Sequence, residues 1–224
     1  MPGGSPRPPG YQGPQTFDEF LKSVKKDDEH GGPFAYKTVN SDALGWVIRR
    51  VTGKSVGENL SERIWSKLGM EQDAYFTADS VGNEFAGGGL NAGLRDLARF
   101  GEMMRNEDRA GGQQVIPKSV VDDIRTGGER AAFPAASYPL LPGWSYRNMG
   151  WVSNNARGAY TARGIHGQTI YIGPKAERGI RAERVRRCGW KHAQGQRGGS
   201  PPLTIVRRRV GLNCLRPISA PSIW

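Results

Sequence analysis

Of its 224 residues the chain spends only two on cysteine, Cys188 and Cys214. That excludes a disulfide-dense scaffold and an all-cysteine zinc site. Its three histidines, His30, His166 and His192, lie far apart and make no metal-ligand spacing. No run of about 18 apolar residues is present, so no membrane-spanning helix is expected. No charged-then-apolar leader opens the chain. Taken as a true start, Met1 would put the chain in the cytoplasm; otherwise the compartment stays open. Charge of one sign is also scarce over most of the chain. The net charge is +11, but residues 175–224 supply +10 of it, with 12 Lys and Arg against Glu177 and Glu183. Any polyanion argument therefore rests on the last fifty residues.

Gly and Pro are abundant, at 32 and 15, and nine of them fall in residues 1–15. That segment forms neither a helix interior nor a sheet ladder, and reads as a loop. The organised part follows. Phe17, Phe20, Leu21 and Val24 have helical spacing, with Thr16 or Asp18 as cap. Leu44, Val47, Ile48 and Val51 set a helix over 41–52, capped by Asn40 or Ser41 and stopped at Gly53. Ser55 and Glu58 form a capping box for a third helix whose face is Val56, Leu60, Ile64 and Leu68. Asn91 caps a helix with Leu94, Leu97, Ala98 and Met104 on its apolar face; Arg109–Gln114 reads as a turn, and Pro117 opens a short helix through Ile124. From Gly150 the period shortens. Residues 150–152, 159–164 and 168–172 read as strands. Helices first and strands last imply an α+β fold, helices packed on an antiparallel sheet. After Pro174 no useful periodicity remains, so residues 175–224 read as a basic, disordered tail and the sheet as incomplete.

Two short motifs have simple explanations. Thr52-Gly-Lys-Ser55 lacks the earlier glycine of a phosphate loop, its place being taken by Ile48, and reads as a helix–helix turn. Ser23-Val-Lys-Lys26 matches Ser-x-x-Lys, but the helical pattern leaves both side chains in water, where a lysine keeps its proton.

The stretch from Phe34 to Ser55 is more specific: FAYKTVNSDALGWVIRRVTGKS. It resembles the tyrosine box of the serine hydrolases related to class C β-lactamases, DD-peptidases and esterases, above all the 6-aminohexanoate-dimer hydrolase branch. Three further blocks resemble that family in the same order: Glu62–Met70, Phe85–Gly101 and Gly164–Ile172. The resemblance covers residues 15 to 174 and implies a partial β-lactamase/DD-peptidase-like domain over 16–174. It implies a serine that attacks an amide or ester carbonyl, a lysine that takes its proton, and a tyrosine that shares the base role. Tyr36 matches that tyrosine. Thr38 stands where β-lactamases place Asn, which points away from β-lactam turnover. His166, Gly167 and Gln168 match the strand that binds substrate and donates to the oxyanion. A small-molecule amide or ester substrate is implied, with no metal and no cofactor. The family's Ser-x-x-Lys box is expected upstream of Met1, and the sequence after 174 is expected to be out of frame, so the chain is expected to be an inactive fragment. The alternative is an RNA- or polyanion-binding protein acting through Arg186, Arg187 and Arg207–Arg209. It lacks the aromatic platforms that nucleic-acid binding uses, the tail having only Trp190 and Trp224.

Overall fold

The computed structural model describes residues 10–106, 109–134, 137–164, 167–175, 180–183 and 208–210. Its helices are α1 (Phe17–Ser23), α2 (Thr38–Thr52), α3 (Val56–Arg63), α4 (Leu94–Arg105) and α5 (Lys118–Thr126). Its strands are β1 (Ala74–Phe76), β2 (Leu90–Asn91), β3 (Arg109–Ala110), β4 (Gln113–Gln114), β5 (Ser145–Arg147), β6 (Gly150–Val152), β7 (Tyr160–Arg163), β8 (Thr169–Ile172), β9 (Ile180–Glu183) and β10 (Arg208–Val210). The class is α+β, as expected. β5 to β9 form one antiparallel meander in chain order. A smaller sheet has the order β10-β1-β2, and β3 and β4 pair as a hairpin. Among the described residues no helix is long and apolar enough to cross a membrane.

The meander's register sorts its side chains by face, because directly opposed residues share a side and neighbours alternate. Val152, Tyr160 and Ile172 fall on one face and are buried with Met103 and Met104 of α4 and Val121 of α5. The Tyr160 hydroxyl donates to the Met104 carbonyl at 2.9 Å, so the buried phenol is paired. Tyr146, Trp151, Thr161, Arg163, Thr169 and Tyr171 fall on the other face.

Several expectations need correction. The segment after Pro174 contains two strands. Ile180 and Ala182 oppose Ile172 and Ile170, extending the meander to five strands, and β10 pairs with β1 through Ala74↔Val210. Strands of three or four residues draw on main-chain bonds from neighbours, so they leave no periodicity that a window can detect. The rest of 175–224, apart from Lys175, lies outside the described residues.

α2 begins at Thr38, with Lys37 in the cap position and no side-chain cap, so neither Asn40 nor Ser41 serves. It also packs the opposite way from its apolar pattern. Asp42 and Gly45 are its buried residues, while Leu44, Val47, Ile48 and Val51 are exposed, Val51 at 80%. Gly45 explains the seating: a Cβ there would stand 2.6 Å from Ala86 Cβ. Arg49 adds an ion pair with Asp18 at 2.8 Å and a hydrogen bond to Asn83.

α4 departs similarly. Gly93, not Asn91, is its cap residue, and Asn91 lies in β2. Its buried set is Asp96, Gly101, Met103 and Met104, while Leu94 is exposed. Asp96, 1% exposed, accepts the Glu71 and Gln72 N–H groups at 2.7 and 3.2 Å and bonds Arg99 at 3.1 Å. The Ser55–Glu58 capping box is as read; of the two caps expected for α1, Thr16 serves, and it forms a capping box with Glu19 that was not expected; Gly53 ends α2 at φ 68°. The segment 109–114, expected as a turn, is the whole β3–β4 hairpin, with Gly111 and Gly112 at its tip.

Candidate functional site

Tyr36 sits two residues before α2, in an aromatic cluster. Its backbone N–H donates to the Tyr138 hydroxyl oxygen at 3.2 Å. Its ring meets Trp151 at 5.6 Å between centroids and stands edge-on to Tyr146 at 6.1 Å. Phe34, two positions earlier, stacks on Tyr146 at 4.5 Å and on Phe133 at 5.4 Å. Offset and edge-on pairs of this kind add stability beyond the area they bury. Tyr36 itself stays 39% exposed. The segment before α2 is thus anchored through Phe34 while its tyrosine faces outward.

The neighbouring ionisable groups are set by surroundings. Burial, followed by the nearby Tyr36 and Tyr138, pushes the Tyr146 hydroxyl up to about 12. It remains a donor, and it donates to Met149 Sδ at 3.2 Å. Met149 is also approached by the Ser41 hydroxyl at 3.3 Å. Asn148 and Met149 both have positive φ, 46° and 65°, at the tip of the β5–β6 hairpin, the conformation that a two-residue hairpin turn needs. Lys37, beside Tyr36, is held above the usual lysine range by its hydrogen bond and charge pairing with Asp27, so it is a fixed cation and no base.

Behind Tyr36, α2 is locked to the glycine turn at 85–89. The buried Asp42 carboxylate accepts the Gly87 N–H at 2.9 Å, and burial raises its pKa. A Cβ on Gly87 would stand 2.5 Å from Thr38 Cγ2 and 3.0 Å from the Thr38 carbonyl oxygen. These glycines serve close packing.

Gly167 and Gln168 lie in the turn between β7 and β8. The Gly164 N–H donates to the Gln168 carbonyl at 2.9 Å, Gly167 takes φ 75°, and Gln168 is exposed. His166 lies outside the described residues. Trp151 connects this turn to the tyrosine. Arg163, which precedes the turn, places Cζ 5.7 Å from the Trp151 ring centre, on the face where Tyr36 also packs. Sequence reasoning missed Trp151, Trp144, Tyr138, Tyr146 and Arg163. The aromatic residues of strands β5 and β6 were visible, but only register shows which of them share the Tyr36 face.

The other motifs resolve as local structure. Ser23 Oγ donates to the Phe20 carbonyl at 2.8 Å, and Lys26 Nζ pairs with Glu29 at 2.7 Å in the open. A serine turned onto its own helix, with a solvated lysine, is no nucleophile–base pair. Lys54 pairs with Glu62 at 2.6 Å, and the Val56 and Gly57 N–H groups at the start of α3 donate to Glu84 at 3.3 Å, leaving no phosphate cradle. Among the described residues no group of three His, Cys, Asp or Glu side chains could hold a metal.

The beta-lactamase family model matches residues 2–182. A 6-aminohexanoate-dimer hydrolase of Paenarthrobacter ureafaciens is 36% identical over 165 residues, covering 73% of this chain and 42% of that protein. A solved structure from Bacillus anthracis, assigned by name to the 6-aminohexanoate-dimer hydrolases, superposes with a TM-score of 0.70 at 41% identity. It covers 76% of this chain and 43% of its own. A structure from Bacteroides dorei DSM 17855, assigned as a β-lactamase, superposes with a TM-score of 0.55 at 20% identity over 77% of this chain and 57% of its own, and speaks to the fold alone. The chain spans about two fifths of the length of the 6-aminohexanoate-dimer hydrolases it matches.

Proposed function

The chain belongs to the beta-lactamase family, and from that premise we propose that it carries the tyrosine and oxyanion side of an acyl-transfer site for a short linear amide or ester. Tyr36 shares the general-base role and passes the proton to the leaving group, which suits a phenol that is half open to solvent. The turn at Gly167 and Gln168 presents backbone N–H groups to the oxyanion, and His166 orients the substrate. The nucleophile comes from a Ser-x-x-Lys segment other than Ser23–Lys26, since that pair is spent on its own helix and on Glu29. The chain by itself is inactive.

One observation carries the reading. Tyr36 and the residue leading into the β7–β8 turn both lean on Trp151, at 5.6 and 5.7 Å, so two family-matched segments far apart in sequence share one face. The names of the Paenarthrobacter and Bacillus relatives favour a linear amide as substrate.

A fluorophosphonate serine probe tests it. The chain alone is expected to take no label. Joined behind the Ser-x-x-Lys-bearing part of the Paenarthrobacter ureafaciens relative, residues 15–175 should support labelling and hydrolysis of p-nitrophenyl esters. Stoichiometric label at Ser23 of the present chain would reverse the assignment of the nucleophile. A folded chimera without either activity would remove the hydrolase reading.

A further inference from the structure

Met149 stands where the backbone favours glycine. It is the second residue of the two-residue β5–β6 turn and takes φ 65°, after Asn148 at φ 46°. Asn followed by Gly is the usual pair for such a turn, and a bulky side chain in the left-handed region is an outlier. An outlier of this kind points to a use for the side chain.

That side chain gathers two hydroxyls. Tyr146 Oη donates to Met149 Sδ at 3.2 Å, and Ser41 Oγ donates to it at 3.3 Å. The donors come from different elements, β5 and the first turn of α2. A thioether is only a weak acceptor. Burial pushes the Tyr146 hydroxyl up to about 12, so it keeps its proton and stays a donor. The sulfur is also open to reagents. Met149 is 40% exposed, whereas Met70, Met103 and Met104 are each no more than 6% exposed. Two firm donors thus converge on an exposed sulfur that accepts weakly. An oxygen on that sulfur would meet them with a polar acceptor.

We propose that Met149 is a modification site for hydrogen peroxide, and that the Tyr146 and Ser41 hydroxyls hold its sulfoxide and so fasten the β5–β6 hairpin to the first turn of α2. A sulfur lone pair forms the S–O bond as the peroxide O–O bond breaks. The proton on the transferred oxygen goes to the departing hydroxide, so thioether and peroxide give sulfoxide and water. The sulfur is oxidised by two electrons and the peroxide is reduced by the same two. A sulfoxide in a packed core disrupts its surroundings; at Met149 it supplies the acceptor that two hydroxyls lack. The Tyr146 ring stands edge-on to Tyr36 at 6.1 Å, so the fastening reaches the neighbour of the family tyrosine. The modification needs no nucleophilic serine and stands apart from the hydrolase reading.

The test uses the chain as it is. After brief treatment with dilute hydrogen peroxide, peptide mass mapping should find one oxygen added at Met149 at least about tenfold faster than at Met70, Met103 or Met104. Chain oxidised at Met149 should unfold, by circular dichroism, at a urea midpoint about 0.3 M or more above that of the untreated chain, as a net gain in hydrogen bonding requires. Met149→Leu, treated alike, should show no rise. Ser41→Ala and Tyr146→Phe should each still oxidise at Met149 and lose about half of the rise or more. Oxidation of Met149 no faster than of the three buried methionines would overturn the proposal. So would a midpoint that falls or stays put on Met149 oxidation, or a full rise in either folded hydroxyl variant.

Discussion

Replacing Gly87 by Ala tests how the Tyr36 segment is held. The new Cβ would stand 2.5 Å from Thr38 Cγ2 and 3.0 Å from the Thr38 carbonyl oxygen. A methyl contact at 2.5 Å is well inside van der Waals separation, and backbone cannot swing away as a side chain can. Overpacking of this kind costs about 1–3 kcal/mol. The displaced turn also strains the 2.9 Å Gly87 N–H bond to Asp42, worth roughly 1 kcal/mol or more when the acceptor is charged. The variant should therefore lose about 2–3 kcal/mol, or roughly 1 M in urea midpoint at an m value near 2 kcal/mol/M. Thr38→Ser removes Cγ2 and leaves the carbonyl, so Thr38→Ser with Gly87→Ala should recover about half of the loss. The single and double variants form a cycle whose coupling energy should exceed about 0.5 kcal/mol. The measurement is urea unfolding followed by tryptophan fluorescence. A neutral Gly87→Ala, or a double variant that simply adds, would refute the contact between the glycine turn and α2.

Three further outcomes follow from the same geometry. Asp42 has its pKa raised by burial, so the stability it contributes is fully present below the ordinary value of 3.8 and is lost as pH rises through the raised one; Asp42→Asn, which can still accept from Gly87, should gain stability relative to the parent between pH 4 and neutrality in urea melts, and an unchanging difference would contradict the burial argument. Tyr146, pushed up to about 12 by burial, should contribute a strongly alkaline step to a titration followed at tyrosinate absorbance, and Tyr146→Phe should delete that step. Val51→Glu, at a position 80% exposed, should change stability by no more than about 0.5 kcal/mol, and a loss of several kcal/mol would place the apolar stripe of α2 in the core.

What could be read from sequence was local chemistry. The Thr16 cap, Ser55 with Glu58, and Gly53 are recognisable because each satisfies its own helix end within four residues. The strands at 150–152 and 169–172 show in their aromatic and β-branched content. α2 marks the limit. Leu44, Val47, Ile48 and Val51 do line one face, but periodicity says which face is apolar and not where the core lies; Gly45 and Asp42, against Ala86 and Gly87, decide that. α4 repeats the lesson with Asp96, whose burial depends on two N–H groups more than twenty residues away. At the site, Tyr36 came from the resemblance of its neighbours. Trp151 and Arg163 could not be joined to it without the register of β6 and β7.

The measurement closest to the central claim is the turnover of Tyr36→Phe in a chimera that carries a family Ser-x-x-Lys segment ahead of residues 15–175. Phenylalanine keeps the ring contacts with Trp151 and Tyr146 and removes only the hydroxyl. With equal folding and equal labelling capacity at long times, kcat for p-nitrophenyl ester or linear amide hydrolysis should fall about 10²–10⁴-fold. A Tyr36→Phe chimera that turns over at the parent's rate would take Tyr36 out of the mechanism and the account with it.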